Sequence, residues 1–241
     1  MIHSLLPRNN KDRFLKKLFH LQTGIHREFD SFLLRRLTKT PVSRSFGLDR
    51  GKPIDRYYIE KFIFQNRSSI RGTVVEVGDS RYATMFGSKN GIEIKTLHVN
   101  PDSGADIICD LSSSSPMPCG IADCFIMTQT LPFIYDIKAA LRNAVKILKP
   151  NGVLLITVTG ICHISRYDMD RWGQYWSFTD RSLKMLLSEV FSPGNVVVTT
   201  FGNVKTASCF LYGLTAQNLD QRSLDYRDDQ YQMLVCGAAR K

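Results

Sequence analysis

The run Thr73-Val74-Val75-Glu76-Val77-Gly78-Asp79-Ser80 constrains the fold of this chain more than any other stretch. β-Favouring and apolar residues lead into an acid, and a glycine follows two positions later. That order predicts a buried parallel strand ending in a tight turn that opens a ligand crevice. The acid stands where it can accept hydrogen bonds from a ligand's amine or hydroxyls. Gly78 lets the backbone approach that ligand with no Cβ between them.

Beyond Gly72 the sequence alternates between strand and helix patterns. Strands are expected over 73–77, 93–99, 105–109, 122–128, 153–158, 195–201 and 232–238. Ile137, Leu141, Ala144, Val145 and Leu148 line one face of a helix, with Asp136 placed to cap it. Pro150-Asn151-Gly152 makes the turn into the fifth strand. Thr179 caps a second helix, whose apolar face is Leu183, Leu186, Leu187 and Val190. Such alternation implies an α/β fold, a mostly parallel sheet covered by helices on both faces. Ligands of such sheets bind at the carboxyl ends of the strands, near the switch in strand order.

The 241 residues suffice for one sizeable core. Their charge is uneven. Residues 1–72 hold 16 Lys and Arg against 6 Asp and Glu, so the whole net charge of +10 lies there and the remainder balances. This first segment reads as helical. Phe14, Leu15, Leu18 and Phe19 form one apolar stripe, and Phe29, Phe32, Leu33 and Leu37 another. A third helix starts at Asp55 as N-cap, with Tyr58, Ile59, Phe62 and Ile63 on its apolar side. The expected organisation is a basic helical extension or lid over 1–70 and a ligand-binding domain over 71–241. An anionic membrane surface is a second reading for the basic segment, and nucleic acid a third. The neutral body gives no reason to expect a nucleic-acid partner.

The longest apolar run, Gly152 to Ile164, is too short and too polar to span a bilayer. The first residues lack the apolar core of a secretion signal. A soluble cytoplasmic protein is therefore expected. The six cysteines form no Cys-x-x-Cys pair, and no His stands at metal-ligand spacing from a Cys pair. Reduced thiols and no metal centre follow.

Four stretches together resemble the class I S-adenosylmethionine-dependent methyltransferases. They are Val75-Glu76-Val77-Gly78, Cys109-Asp110-Leu111, Thr128-Gln129-Thr130-Leu131 and Leu148-Lys149-Pro150-Asn151-Gly152-Val153-Leu154-Leu155. The last is similar to the Leu-Lys-Pro-Gly-Gly turn of the type 11 branch. Gly51–Glu60 and Ser165–Gly173 also resemble a bacterial group found near or fused to glycosyltransferases. The resemblance implies a seven-stranded Rossmann-like sheet, parallel apart from its last strand. It implies S-adenosylmethionine as cofactor. Glu76 and Gly78 would hold its methionine end, with Asp79 in the same turn. Asp110 and Leu111 would flank its adenine, and Gln129 would sit beside the methyl-bearing end. Two positions depart from the pattern. Ser80 stands where the family usually has Gly. The second strand ends Leu97-His98-Val99-Asn100 with no carboxylate, which leaves His98 or Asn100 to bind the ribose.

The segment after the fifth strand is the usual place for acceptor contacts in this family. Here it holds Arg166, Tyr167, Trp172 and Trp176, flat aromatic surface among charges, which suits a sugar ring or another polar cyclic acceptor. Arg56, Tyr57 and Tyr58 are expected to close over the ligands from the N-terminal side. A hydroxyl acceptor wants a general base, for which His163 is the first candidate and Asp168 and Asp170 the next. The implied activity is O-methylation of a sugar, glycan precursor or other small metabolite, with the oligomeric state left open. The rival readings are a non-catalytic binding module with this fold and a nicotinamide-dependent oxidoreductase. The absence of Gly-x-Gly-x-x-Gly after the first strand disfavours the oxidoreductase.

Overall fold

A computed structural model describes residues 37–87 and 91–241. The chain divides into two compact units, Met1–Pro41 and Val42–Lys241. The helices expected within the first 36 residues lie outside the described residues.

The second unit carries a seven-stranded sheet. Its strands are β1 (Thr73–Val77), β2 (Glu93–His98), β3 (Ile107–Ile108), β4 (Ala122–Thr128), β5 (Leu148–Thr159), β6 (Val196–Phe201) and β7 (Leu234–Arg240). Their order is β3-β2-β1-β4-β5-β7-β6. All neighbours run parallel except β7, which is antiparallel to both β5 and β6. From β1 the chain winds outward to β3 and then returns to β4 on the other side of β1. The strand order therefore reverses between β1 and β4, and their carboxyl ends open the crevice that such a reversal creates.

Side-chain alternation along the strands divides the core between the two faces. On one face Val75, Phe125, Met127, Leu154 and Ile156 meet Leu141 and Ala144 of α3 (Ile137–Ile147) and Leu183 and Leu187 of α5 (Asp180–Ser188). On the other, Val74, Cys124, Ile126 and Leu155 meet Tyr58 and Phe62 of α1 (Ile54–Gln65) and Phe210 of α6 (Val204–Leu211). Each Leu, Ile or Phe shut away in this manner contributes about 1.5–3 kcal/mol. The helices start where their caps dictate. Asp136 accepts the backbone N–H of Ala139 at 2.9 Å, and Thr179 forms a reciprocal capping box with Ser182. Among the described residues, no helix is long and apolar enough to cross a membrane.

Several boundaries differ from expectation for local reasons. Pro53, not Asp55, precedes α1, and Asp55 falls within its first turn. Strand β5 begins at Leu148, because Leu148 already pairs with Ala122 and Lys149 Nζ bonds Asp123 at 2.6 Å. Asn151, at φ +64°, bends the strand without ending it. Strand β3 keeps two residues, since only Leu97 and His98 of β2 pair with it. The segment after β5 contains a helix, α4 (Arg166–Trp172). Short helices α2 (Arg81–Phe86) and α7 (Gln221–Asp225) complete the unit.

Candidate active site

A cavity of about 550 Å³ opens at the carboxyl ends of the parallel strands. Its floor is Val77 and Gly78 after β1, Leu97 and His98 of β2, Asp110 and Leu111 after β3, and Thr128 and Gln129 after β4. Asp168 and Trp172 of α4, with Tyr175 just beyond it, supply the opposite wall. The size is that of a site for a small organic ligand.

Gly78 sits at φ +90°, and a Cβ there would meet nothing within 4 Å. The turn therefore has room beside its backbone that a side chain would fill. Gln129 takes φ +50°, and its amide oxygen and nitrogen are shielded from solvent with no hydrogen-bond partner among the described residues. Leaving such groups unpaired costs about 1–3 kcal/mol each, so this amide has hydrogen-bonding capacity to offer a polar group in the cavity.

His98 Nδ1 accepts the backbone N–H of Asn100 at 2.9 Å, which puts the ring proton on Nε2 as a donor. The ring stands edge-on to Trp172 with centroids 5.8 Å apart, so α4 reaches across to β2. Asp110 Oδ1 accepts both the backbone N–H and the hydroxyl of Ser112, an Asx turn that shapes the wall after β3. Asp168 lies in the first turn of α4. Its Oδ2 accepts the Ser165 hydroxyl at 2.6 Å, and Oδ1 accepts no bond among the described residues. The α4 wall is tied to the loop after β4. Tyr175 N–H donates to Pro132 O at 2.9 Å, and Trp176 Nε1–H donates to Ile134 O at 3.1 Å.

The structure thus gathers Gly78, His98, Asp110, Leu111, Gln129, Asp168 and Trp172 around one cavity, and places the other sequence candidates elsewhere. Glu76 shares the Val74 face of β1 and points beneath α2. Its two oxygens accept the backbone N–H groups of Tyr82 and Ala83 at 3.1 and 2.8 Å, and burial pushes its carboxyl up to about 7. Asp79 accepts the Arg81 N–H at the same helix start, and Asn100 accepts that of Asp102. Both are occupied with turn geometry.

His163 is stacked on Phe46 at 4.0 Å with Phe210 beyond, and burial lowers its pKa. His163 does not line the cavity. Asp170 pairs with Arg166 at 2.8 Å on the exposed face of α4. Tyr167 lies under the Arg171 guanidinium, 3.5 Å from its ring centroid. Trp176 stands at the rim near Tyr135, with ring centroids 6.1 Å apart. Tyr58 is fully buried and stacked on Phe201 at 5.3 Å. Tyr57 accepts a bond from Gln221 at 2.9 Å, and Arg56 lies half-buried beside Asp55, whose carboxyl burial pushes up to about 6.

Sequence reasoning passed over Phe133, Ile134 and Tyr135 of the wall. The signal was available, because residues just beyond the carboxyl end of a parallel strand face the crevice. Among the described residues, no group of His, Cys, Asp and Glu is placed to hold a metal.

Residues 76–156 match a family model described as a methyltransferase domain. No curated protein matches the chain in sequence. Many solved structures share its fold. One is a SAM-dependent methyltransferase from Archaeoglobus fulgidus, at 11% identity, a TM-score of 0.50 and coverage of 77% of this chain and 94% of that one. Another is a sarcosine dimethylglycine methyltransferase (so described) from Galdieria sulphuraria, at 14%, 0.52, 79% and 91%. The [4+2]-cyclase SpnF is similar at 16%, 0.52, 80% and 84%. At such identities the likeness is one of fold. The domain match and this topology support an S-adenosylmethionine-dependent methyltransferase with S-adenosylmethionine as its cofactor.

Proposed function

We propose that the enzyme methylates a hydroxyl of a sugar, glycan precursor or other small metabolite at the open end of this cavity. The observation that carries the reading is the solvent-shielded amide of Gln129, unpaired among the described residues, in the same cavity as Asp168, whose Oδ1 accepts no bond among them. The lining fits the adenosyl group and its amino-acid tail. Leu97 and Leu111 offer apolar walls to a purine, His98 Nε2–H a donor to ribose, and the bare backbone at Gly78 room for the methionine end. Gln129 completes its hydrogen bonds at the methyl-bearing end. Glu76 serves the site indirectly by holding the start of α2 against β1.

When bound, the cofactor supplies an electrophilic methyl group on a good leaving group. What remains for the protein is alignment, exclusion of water and removal of one proton. Asp168 takes the acceptor's hydroxyl proton at Oδ1, while Ser165 and the first turn of α4 fix its orientation. The glycan preference draws on the resemblance of Gly51–Glu60 and Ser165–Gly173 to the glycosyltransferase-associated group. A cytoplasmic location is proposed with it.

Calorimetry with S-adenosylhomocysteine, followed by transfer of labelled methyl to a panel of glycosides, tests the reading. Tight binding and turnover are expected. Asp168→Asn should slow transfer by about 10²–10⁴-fold with the cofactor affinity kept, as loss of a general base does. Binding of NADH in place of S-adenosylhomocysteine would end the methyltransferase reading. Binding without turnover on any acceptor would leave a binding module.

A further inference from the structure

Among the described residues, the charged groups lining the cavity are of one sign: Asp110 and Asp168 line it, and no Lys or Arg does. His98 turns its Nδ1 to the Asn100 N–H as an acceptor. The cations on the neighbouring elements are held elsewhere. Arg166 is paired with Asp170, Arg171 is bonded to Tyr167 O and stacked on the Tyr167 ring, and Arg81 faces Asp79 at 3.5 Å.

Among the described residues, no side chain of fixed positive charge enters this cavity. An anionic acceptor entering beside Asp168 would leave water for a carboxylate, with no Lys or Arg among the described lining residues to receive it.

The mouth is aromatic. Tyr135 is 71% exposed, Tyr175 51% and Trp172 42%, so three rings stand in solvent at one rim. Tyr135 meets Tyr175 edge-on at 5.3 Å and lies against Trp176 at 6.1 Å. Two backbone-directed bonds hold this shelf in place, Tyr175 N–H to Pro132 O and Trp176 Nε1–H to Ile134 O. Ring faces beside a carboxylate attract cations and accept the apolar face of neutral rings.

From this geometry we infer that the acceptor site selects by charge: it takes neutral or cationic ring compounds on the Tyr135–Tyr175–Trp176 shelf and refuses phosphorylated or carboxylated ones. The inference rests on the reading of the cavity given above and narrows its acceptors to unphosphorylated molecules. Asp168 is the specificity-determining group, because it lines the cavity together with Tyr135 and Tyr175 and its Oδ1 accepts no bond among the described residues.

Trp172 and Trp176 are the two tryptophans of the chain, so intrinsic fluorescence reports on this mouth. Three probes of similar size suffice: benzyltrimethylammonium, phenyl β-glucoside and phenyl phosphate, titrated into protein saturated with S-adenosylhomocysteine. The ammonium is expected to bind at least about tenfold more tightly than the phosphate, with the glucoside between them. Asp168→Asn should shrink the ammonium-to-phosphate ratio several-fold and leave the glucoside within about twofold. Tyr135→Ala should weaken the ammonium and the glucoside together.

Phenyl phosphate binding as tightly as the ammonium would overturn the inference. So would a ratio unchanged in Asp168→Asn, or no response to either ring probe. Calorimetry of S-adenosylhomocysteine on the same samples separates the two readings. Failure of that ligand to bind removes the cofactor assignment. Its binding without charge discrimination removes the acceptor inference alone.

Discussion

Glu76 illustrates how a residue is diverted from a ligand to the frame that holds one. It is 1% exposed, and both of its oxygens accept N–H groups from the start of α2. Burial outweighs those bonds and raises its carboxyl from an ordinary 4.5 to about 7. The sign of the linkage follows. Between these values the folded protein holds a proton that the unfolded chain has released, so stability falls as pH rises and levels off above about 7. The full span corresponds to roughly 3 kcal/mol at most. Urea unfolding at pH 5, 6 and 7.5 should show this decline, and Glu76→Gln should flatten most of it. Asp55, raised to about 6, leaves a smaller slope below that pH. An identical slope in the variant would show that Glu76 does not titrate there. Gln129 is the counterpart of Glu76, a cavity-lining residue whose side-chain amide has no hydrogen-bond partner among the described residues.

At the scale of elements, the strands and α3 were legible because each declares itself locally. Val74 and Val75 pack on opposite faces, and Asp136 accepts the N–H three residues on. Less legible was anything decided by tertiary pairing. Leu148 and Lys149 join β5 only because Ala122 and Asp123 lie beside them. The same holds for the site. Gly78, Asp110 and Gln129 follow strands and could be placed from sequence. Which of His163, Asp168 and Asp170 faces the cavity depends on how α4 is seated and on Phe46, far away in sequence. Asn203 is another such junction, invisible in one dimension. Its Oδ1 accepts from Thr206 N–H at 3.0 Å to cap α6, and its Nδ2 donates at 2.8 Å to the carbonyls of both Ser223 and Tyr226. It is 4% exposed. Asn203→Ala removes a cap and strands two carbonyls, which should cost about 2–4 kcal/mol in chemical denaturation. A loss below about 0.5 kcal/mol would mean that water restores those bonds.

For the molecule as a whole, the cavity joins elements that the chain supplies from distant stretches. The turns after β1 and β4 meet at the reversal of strand order, and α4 closes over them from beyond β5. Ligand bound there touches both halves of the sheet, so its binding energy adds to the stability of the folded unit as one body. At a concentration of 100 times its dissociation constant, a ligand that binds only the folded state adds about 2.7 kcal/mol. For a unit of this size that should raise the melting temperature by about 5–10 °C with S-adenosylhomocysteine, and NADH should leave it unchanged. Gly78→Val supplies the control at the reversal point. Its branched side chain would occupy the open space beside the turn, and φ +90° strains any residue with a Cβ. The variant should melt a few degrees lower without ligand and lose the upward shift with it. Were the variant to keep a full shift, the ligand would be contacting a part of the fold other than the β1 turn, and the cofactor would have to be sought outside the crevice between β1 and β4.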